Sequence, residues 1–320
     1  MCAVFVVIGP RSVPWLQSLA IRAGFAHRRR HVSIERQTLQ DKIAIVRTPA
    51  AFTAAMEAWK REGHRVAFVP TMGALHAGHL ALVTLGLQHA DRVAASIFVN
   101  PKQFGPTEDL DRYPRDEAGD AAKLVAAGCS LLYAPSVATM YPPGFASYVR
   151  VAALPDLLCG AARPGHFDGV ATVVSKLLAA ARADVAVFGE KDWQQLAIVR
   201  RMAEDLDLGT EILGCPIVRD NDGLALSSRN LYLSADERRR AGALPQALMR
   251  AREALIAGGD VGPALATAER RIAAAGFARI DYCELVDGER LTPLRAVTPG
   301  ARIMAAAVMG TTRLIDNLAV

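Results

Sequence analysis

The sequence predicts a doubly wound parallel α/β sheet followed by a smaller C-terminal α+β domain. Between Thr48 and Cys215 short apolar runs of strand length alternate with helical patterns, the rhythm of a parallel sheet covered on both faces. After Pro216 that rhythm gives way to helices and then three extended runs joined by short turns, which fits an antiparallel sheet. No apolar run approaches the roughly 20 residues that a membrane-spanning helix needs.

Thr48 before Pro49 is an N-cap with proline at the first helical position, and predicts a helix to about Arg61. Val66–Val69 is a short apolar run suited to a buried parallel strand. A helix over about Gly78–Ala90 and a strand over Val93–Val99 follow. Residues 104–120 are polar and predict a long loop, whose end overlaps a helix over 116–127. Then come a strand at Ser130–Ala134, a helix at Phe167–Ala181, a strand at Asp184–Phe188, a helix at Trp193–Leu206 and a strand at Glu211–Cys215. Beyond them, Ser234 and Glu237 form a capping box that opens a helix rich in Arg and Ala. A second helix is predicted over about 260–275, and strands over Arg279–Val286, Ala301–Met309 and Thr312–Asn317. Right-handed crossovers turn the first part into a doubly wound fold.

Of the 320 residues 52% are hydrophobic, enough for a sizeable core, which argues against disorder. The net charge of +5 invites a nucleic-acid partner, but its distribution removes that reading. Residues 1–40 hold six arginines and one acid, Glu35, so the other 280 residues carry 31 basic and 31 acidic side chains. A neutral body without an aromatic-basic patch argues against RNA binding. In the arm the charge follows the apolar run Met1–Ile8, the reverse of a secretory signal. A transit peptide or sequence translated upstream of the natural start fits better, and residues 1–40 are expected to be a non-functional extension. The odd set Cys2, Cys129, Cys159, Cys215 and Cys283 contains no Cys-x-x-Cys pair and predicts separate reduced thiols in a cytosolic protein.

The most informative segment is Pro70-Thr-Met-Gly-Ala-Leu-His-Ala-Gly-His79. It leaves a predicted strand and opens a predicted helix, so it falls at the carboxyl edge of the sheet, where ligands bind. Free N–H groups at the helix start favour phosphate. Gly73 and Gly78 permit close approach of backbone, and His76 and His79, three apart, can face one bound group as donors. There is no Gly-Lys-Ser/Thr and no Gly-x-Gly-x-x-Gly, so P-loop and nicotinamide enzymes fall away, and a His-Glu-x-x-His metal pair is absent too.

This turn resembles the His-x-Gly-His signature of nucleotidyltransferases and class I aminoacyl-tRNA synthetases. Its fuller form resembles the pantothenate synthetase (pantoate–β-alanine ligase) family. Four further blocks agree: Ser96–Phe104 with Tyr113-Pro-Arg115, Arg163–Phe167, Phe188–Gln195 and Leu226–Asn230. The resemblance runs from about residue 42 to the end. It implies a Rossmann-like domain over 41–216 that binds nucleotide and pantoate, and a smaller domain over 217–320 that closes over ATP.

The resemblance also implies the chemistry. Pantoate carboxylate attacks the α-phosphorus of ATP, giving pantoyl adenylate and pyrophosphate; β-alanine then attacks the acyl carbon and releases AMP. His76, His79, Lys191 and Arg229 are the expected catalytic residues, because the first step gathers negative charge. The nucleotide would lie along Met72, Gly73, Ala74, Leu75, His76, Ala77, Gly78 and His79, along Gly189, Glu190, Lys191 and Asp192, and along Val218, Leu226, Ser227, Ser228 and Arg229. Leu226 stands where the family more often has Met, a swap that keeps volume and apolarity. Arg219 and Asp220 are expected at the base of the Ser-Ser-Arg loop. Gln103 and Gln195, with help from Asn100, would hold pantoate through donors that leave its carboxylate charged. Lys102 is expected to point outward. Asp120 is the one clear acid where the family helps place Mg²⁺, with Gly119 beside it, so no protein ligand is assigned and Mg²⁺ would arrive with ATP. His166 is either a donor at the mouth of the site or structural. The partners implied are ATP, pantoate, β-alanine and a second copy of the chain, in the cytoplasm, with no nucleic acid and no membrane. The alternative enzyme is a nucleotidyltransferase that passes AMP or CMP to a phosphate ester, which would need more cations than this pocket offers.

Overall fold

The computed structural model describes residues 43–106 and 108–320. The extension expected over residues 1–40 lies outside the described residues. Six strands form one parallel sheet: β1 (Ala44–Val46), β2 (Val66–Thr71), β3 (Arg92–Ile97), β4 (Leu131–Tyr133), β5 (Val185–Gly189) and β6 (Glu211–Cys215). Their order is β1-β4-β3-β2-β5-β6. The chain therefore winds outward from β2 through β3 to β4, returns across the sheet, and winds the other way through β5 to β6. The reversal falls between β2 and β5, which are hydrogen-bonded neighbours.

The central strands are buried on both faces, as their continuous apolar runs require. In β2, Val66 and Phe68 face α1 (Pro49–Arg61), α4 (His166–Ala181) and α5 (Trp193–Asp205), while Ala67 and Val69 face α2 (Ala77–His89) and α3 (Glu117–Ala126). Thr48 caps α1 by accepting from the Ala51 N–H, with Pro49 at the first position as expected. Strand β1 escaped the sequence reading because three residues with two exposed side chains show no periodicity. The predicted loop over 104–120 is shorter in the structure. Asp116 accepts from the Gly119 N–H and caps α3, so residues 117–120 are helical.

The second sheet is antiparallel: β7 (Arg279–Asp287), β8 (Ala301–Met309) and β9 (Thr312–Ala319). One face of β8, with Ile303, Ala305 and Ala307, packs on α6 (Ala235–Ala241), α7 (Ala243–Ile256) and α8 (Val261–Ala274). The other face, with Met304 and Ala306, joins the core around α5. The capping box at Ser234 and Glu237 opens α6 as predicted, but the single helix expected there breaks at Gly242. A Cβ at Gly242 would stand 2.9 Å from an Asp222 carboxylate oxygen, so a larger residue there would push the Asp222 side chain aside. No described helix is long and apolar enough to cross a membrane.

Candidate active site

The site grows from the switch point, where the carboxyl ends of β2 and β5 diverge and leave a crevice. The turn after β2 is strained and gripped from behind. Gly73 and Ala74 have φ of 83° and 52°, the left-handed region that costs a non-glycine residue about 1 kcal/mol or more. The buried Asp120 carboxylate, at the start of α3, accepts from the Ala74 N–H at 2.7 Å and the Leu75 N–H at 2.9 Å. Lys123, one turn later, donates to the Leu75 carbonyl at 2.9 Å and to Asp120 at 3.2 Å. Gly73, Ala74 and Leu75 thus spend their amides inside the protein, and they shape the turn without lining the cavity. Asp120 is likewise occupied with backbone.

Beyond that grip the chain enters α2 with His76 as its N-cap. His76 Nδ1 accepts from the Gly78 N–H at 3.1 Å, and His79 Nδ1 accepts from the His76 N–H at 3.3 Å. A ring nitrogen that accepts from an amide carries no proton, so each neutral imidazole keeps its hydrogen on Nε2. Burial, then the Lys191 ammonium, lowers the His76 pKa to about 4. Burial, the His76 ring and Lys191 lower that of His79 to about 3. The rings, 4.1 Å apart, are neutral donors near pH 7.

Gln103 comes from the short turn after β3. Asn100, fully buried, donates Nδ2 to the Gln103 Oε1 at 2.9 Å and to the Gly169 carbonyl at 3.1 Å, and its Oδ1 accepts from Tyr141 and the Lys102 N–H. Asn100 lines the cavity, but every polar atom of its side chain is taken within the protein, and it orients Gln103. With Oε1 held, Gln103 turns Nε2 to the cavity, where it donates one hydrogen to Met72 Sδ at 3.2 Å and keeps the other for a ligand. A Cβ at Gly169 would overlap the Lys102 carbonyl, so this glycine lets α4 carry the turn. Lys102 leads away from the cavity, over the rings of Tyr141, Phe145 and Tyr148.

Glu190, Lys191 and Asp192 form a 3₁₀ turn directly after β5. Lys191 and Asp192 line the cavity with Gly189 and Gln195, the Lys191 ammonium standing 3.7 Å from Asp192. Glu190 faces away and pairs with Arg302 of β8 at 3.3 Å. Opposite, Arg219 supports the loop that leads to Ser227: it bonds the Gly223 carbonyl at 2.9 Å and holds Asp316 through two hydrogen bonds of 2.7 and 2.9 Å. Asp220 pairs with Arg238 at 2.6 Å. The Ser228 hydroxyl donates to the Ala74 carbonyl at 3.1 Å and ties this loop to the signature turn. Val218, Leu226, Ser227, Ser228 and Arg229 all line the cavity of about 220 Å³ that also holds His76, His79, Gln103 and Lys191. A cleft of about 330 Å³ adjoins it through Lys191, Gln195 and Arg229 and runs to β9.

Two acids of the polar loop were not foreseen. Asp109 holds Arg229 through hydrogen bonds of 3.0 and 2.9 Å, and Glu108 holds Arg163 at 2.7 and 2.5 Å. Burial alone would raise both carboxyls, but the guanidiniums outweigh it and hold them below their ordinary values. The partners are 55 and 120 residues apart in sequence, beyond any local pattern. His166 lines both hollows with both ring nitrogens engaged: one meets the Gln103 carbonyl at 2.7 Å and the other faces Arg163 at 2.9 Å.

Comparison with known proteins adds a family. The profile of the family described as Pantoate-beta-alanine ligase matches residues 44–319. The chain is 58% identical over 276 residues to the pantothenate synthetase of Sphingopyxis alaskensis, covering 86% of this chain and 99% of that protein. It is 54% identical over 279 residues to that of Rhodospirillum rubrum, covering 87% and 99%. Its fold is similar to the crystal structure of pantothenate synthetase from Thermus thermophilus, with a TM-score of 0.82, 49% identity and coverage of 86% and 99%. It is also similar to the pantoate-beta-alanine ligase of Francisella tularensis complexed with beta-gamma ATP and beta-alanine, with a TM-score of 0.73, 30% identity and coverage of 87% and 97%.

Proposed function

The chain belongs to the pantoate–β-alanine ligase family, and from that premise we propose how its residues carry the reaction. The enzyme joins pantoate to β-alanine in an ATP-dependent amide-forming reaction that yields pantothenate. We infer two steps: attack of the pantoate carboxylate on the α-phosphorus with loss of pyrophosphate, then attack of the β-alanine amine on the acyl carbon with loss of AMP. His76 and His79 point Nε2–H donors at the phosphate oxygens, and Lys191 adds a fixed cation where charge gathers in the transition state. Neutral imidazoles donate without a proton that could leave. Gln103 offers its remaining Nε2 hydrogen to the oxygens of pantoate. Gln195 joins it: among the described residues its amide has no hydrogen-bond partner, and it lines both hollows. Neither amide neutralises the attacking carboxylate. Gly189, Val218 and Leu226 offer a backbone and apolar edge to the base.

Ser227, Ser228 and Arg229 close on the departing pyrophosphate once Arg229 exchanges Asp109 for phosphate. Residues 41–216 thus supply nucleotide and pantoate contacts, and 217–320 supply the closing loop. Residues 1–40 contribute none of these groups. Among the described residues no three His, Cys, Asp or Glu side chains form a metal cluster, and Asp120 is engaged with backbone. We propose that Mg²⁺ enters as part of the MgATP substrate, and no step is assigned through it. Family membership supports a homodimer, and four free thiols among the described residues support a reducing, cytoplasmic setting.

The observation that carries this assignment is one cavity with two neutral Nε2–H imidazoles, a lysine and an uncharged amide donor. ATP–pyrophosphate exchange tests it. Pantoate alone should support exchange, and a panel of small acids without its hydroxyls should not. A requirement for β-alanine would overturn the two-step order.

A further inference from the structure

The turn that carries Lys191 has no support of its own. Glu190–Asp192 is a single 3₁₀ turn, and neither it nor α5 after it has a side-chain cap. Its carbonyls are held from the other sheet. Asn317 of β9, 1% exposed, donates Nδ2 to the Glu190 carbonyl at 2.9 Å and to the Lys191 carbonyl at 3.1 Å. The rest of Asn317 is pinned. Its Oδ1 accepts from Arg302 Nε at 2.9 Å, and its backbone N–H donates to Asp316 at 2.7 Å. Arg302 lies 3.5 Å above the Trp193 ring and pairs with Glu190, so it cannot turn away. Because Arg302 only donates, the Asn317 oxygen must face it, and both amide hydrogens must face the turn.

We propose that Asn317 is the positioning residue for Lys191. By fixing two successive carbonyls it fixes the direction in which the Lys191 side chain leaves the backbone. A primary amide suits this task, since one nitrogen supplies two hydrogens while the oxygen is anchored elsewhere. The neighbouring Asp316 holds Arg219, which supports the loop to Ser227–Arg229, so adjacent residues of β9 hold both phosphate-facing segments. Asn317 itself lines neither hollow. The inference rests on Lys191 being the cation that meets phosphate.

The test is a double-mutant cycle in pantoate-dependent ATP–pyrophosphate exchange, with wild type, Asn317→Ala, Lys191→Ala and the double variant. Displacing a catalytic group by about 1 Å costs up to ~10²-fold in rate, so Asn317→Ala should lower kcat by roughly 10- to 30-fold. The pantoate KM should stay within about twofold, because Gln103 and Gln195 are untouched. In the Lys191→Ala background the same change should cost less than about threefold, since contacting residues are not additive. Equal losses in both backgrounds overturn the assignment, for Asn317 would then act on the fold and not on Lys191. A Lys191→Ala variant as fast as wild type would instead remove the phosphate role of Lys191, and the proposal with it; the single variant shows that separately. Should circular dichroism show Asn317→Ala unfolded, Asn317→Ser, which keeps one donor, carries the same cycle with the same expectations.

Discussion

Gln103 shows how far one side chain's role depends on its neighbour. Asn100 takes the Gln103 oxygen, so the group presented to the cavity is a donor, and the choice is made outside the substrate. Gln103→Glu keeps the Asn100 bond but turns a carboxylate oxygen to pantoate. Two like charges about 4 Å apart cost roughly 4 kcal/mol at an effective dielectric near 20, about 10³-fold in affinity. Gln103→Ala loses one neutral hydrogen bond of about 1 kcal/mol. The pantoate KM should therefore rise more for Glu than for Ala at pH 8, and the gap should narrow toward pH 5 as the carboxyl takes up a proton. Equal KM values at pH 8 would mean that Gln103 does not face the substrate carboxylate. Residue types, spacing and the family-like blocks were enough to single out Gln103, Lys191 and the histidine pair. They did not reveal that the polar atoms of Asn100 are all spent within the protein, because a hydrogen bond to a carbonyl across the fold leaves no trace in sequence.

Helix α3 is more than a cover for the sheet. Its first two turns carry Asp120 and Lys123, which hold the backbone of Ala74 and Leu75 and so set the point from which His76 and α2 start. Asp120→Ala leaves one buried and one half-buried amide hydrogen without partners and frees a turn whose left-handed residues are held under strain. An orphaned buried donor costs about 1–3 kcal/mol. Asp120→Ala is expected to lose about that much stability in urea unfolding and to bind ATP more weakly. Asp120→Asn, which keeps one oxygen, should fall between it and wild type. A stable variant with normal ATP affinity would show that the turn holds itself. The alternation of strands and helices was legible because it repeats. The break at Gly242 and the Asp120 grip were not, since each depends on a close approach between distant segments.

At the scale of the whole molecule, three half-buried histidines link folding to pH. Burial leads in each: His76 falls to about 4 and His79 to about 3, and His166, which also feels Arg163, to about 4. Unfolded histidine titrates near 6.5. Between about pH 6.5 and 4 the unfolded chain binds protons that the native protein refuses, so stability rises with pH through that window and is lost as pH falls. Each fully refused proton is worth up to about 1.4 kcal/mol per pH unit, and less for the more open His76. Thermal unfolding should show Tm falling from pH 7 to pH 5, with a shallower fall for His166→Gln. A flat Tm would mean that the rings are charged in the native state. No residue pattern hints at this coupling, because burial is a property of the assembled core. The acids at the mouth of the site also shape the molecule as a whole. With Glu108 on Arg163 and Asp109 on Arg229, the protein supplies counter-ions to its own guanidiniums. Under the role proposed for Arg229, loading a nucleotide becomes an ion exchange within the protein, phosphate for a tethered carboxylate.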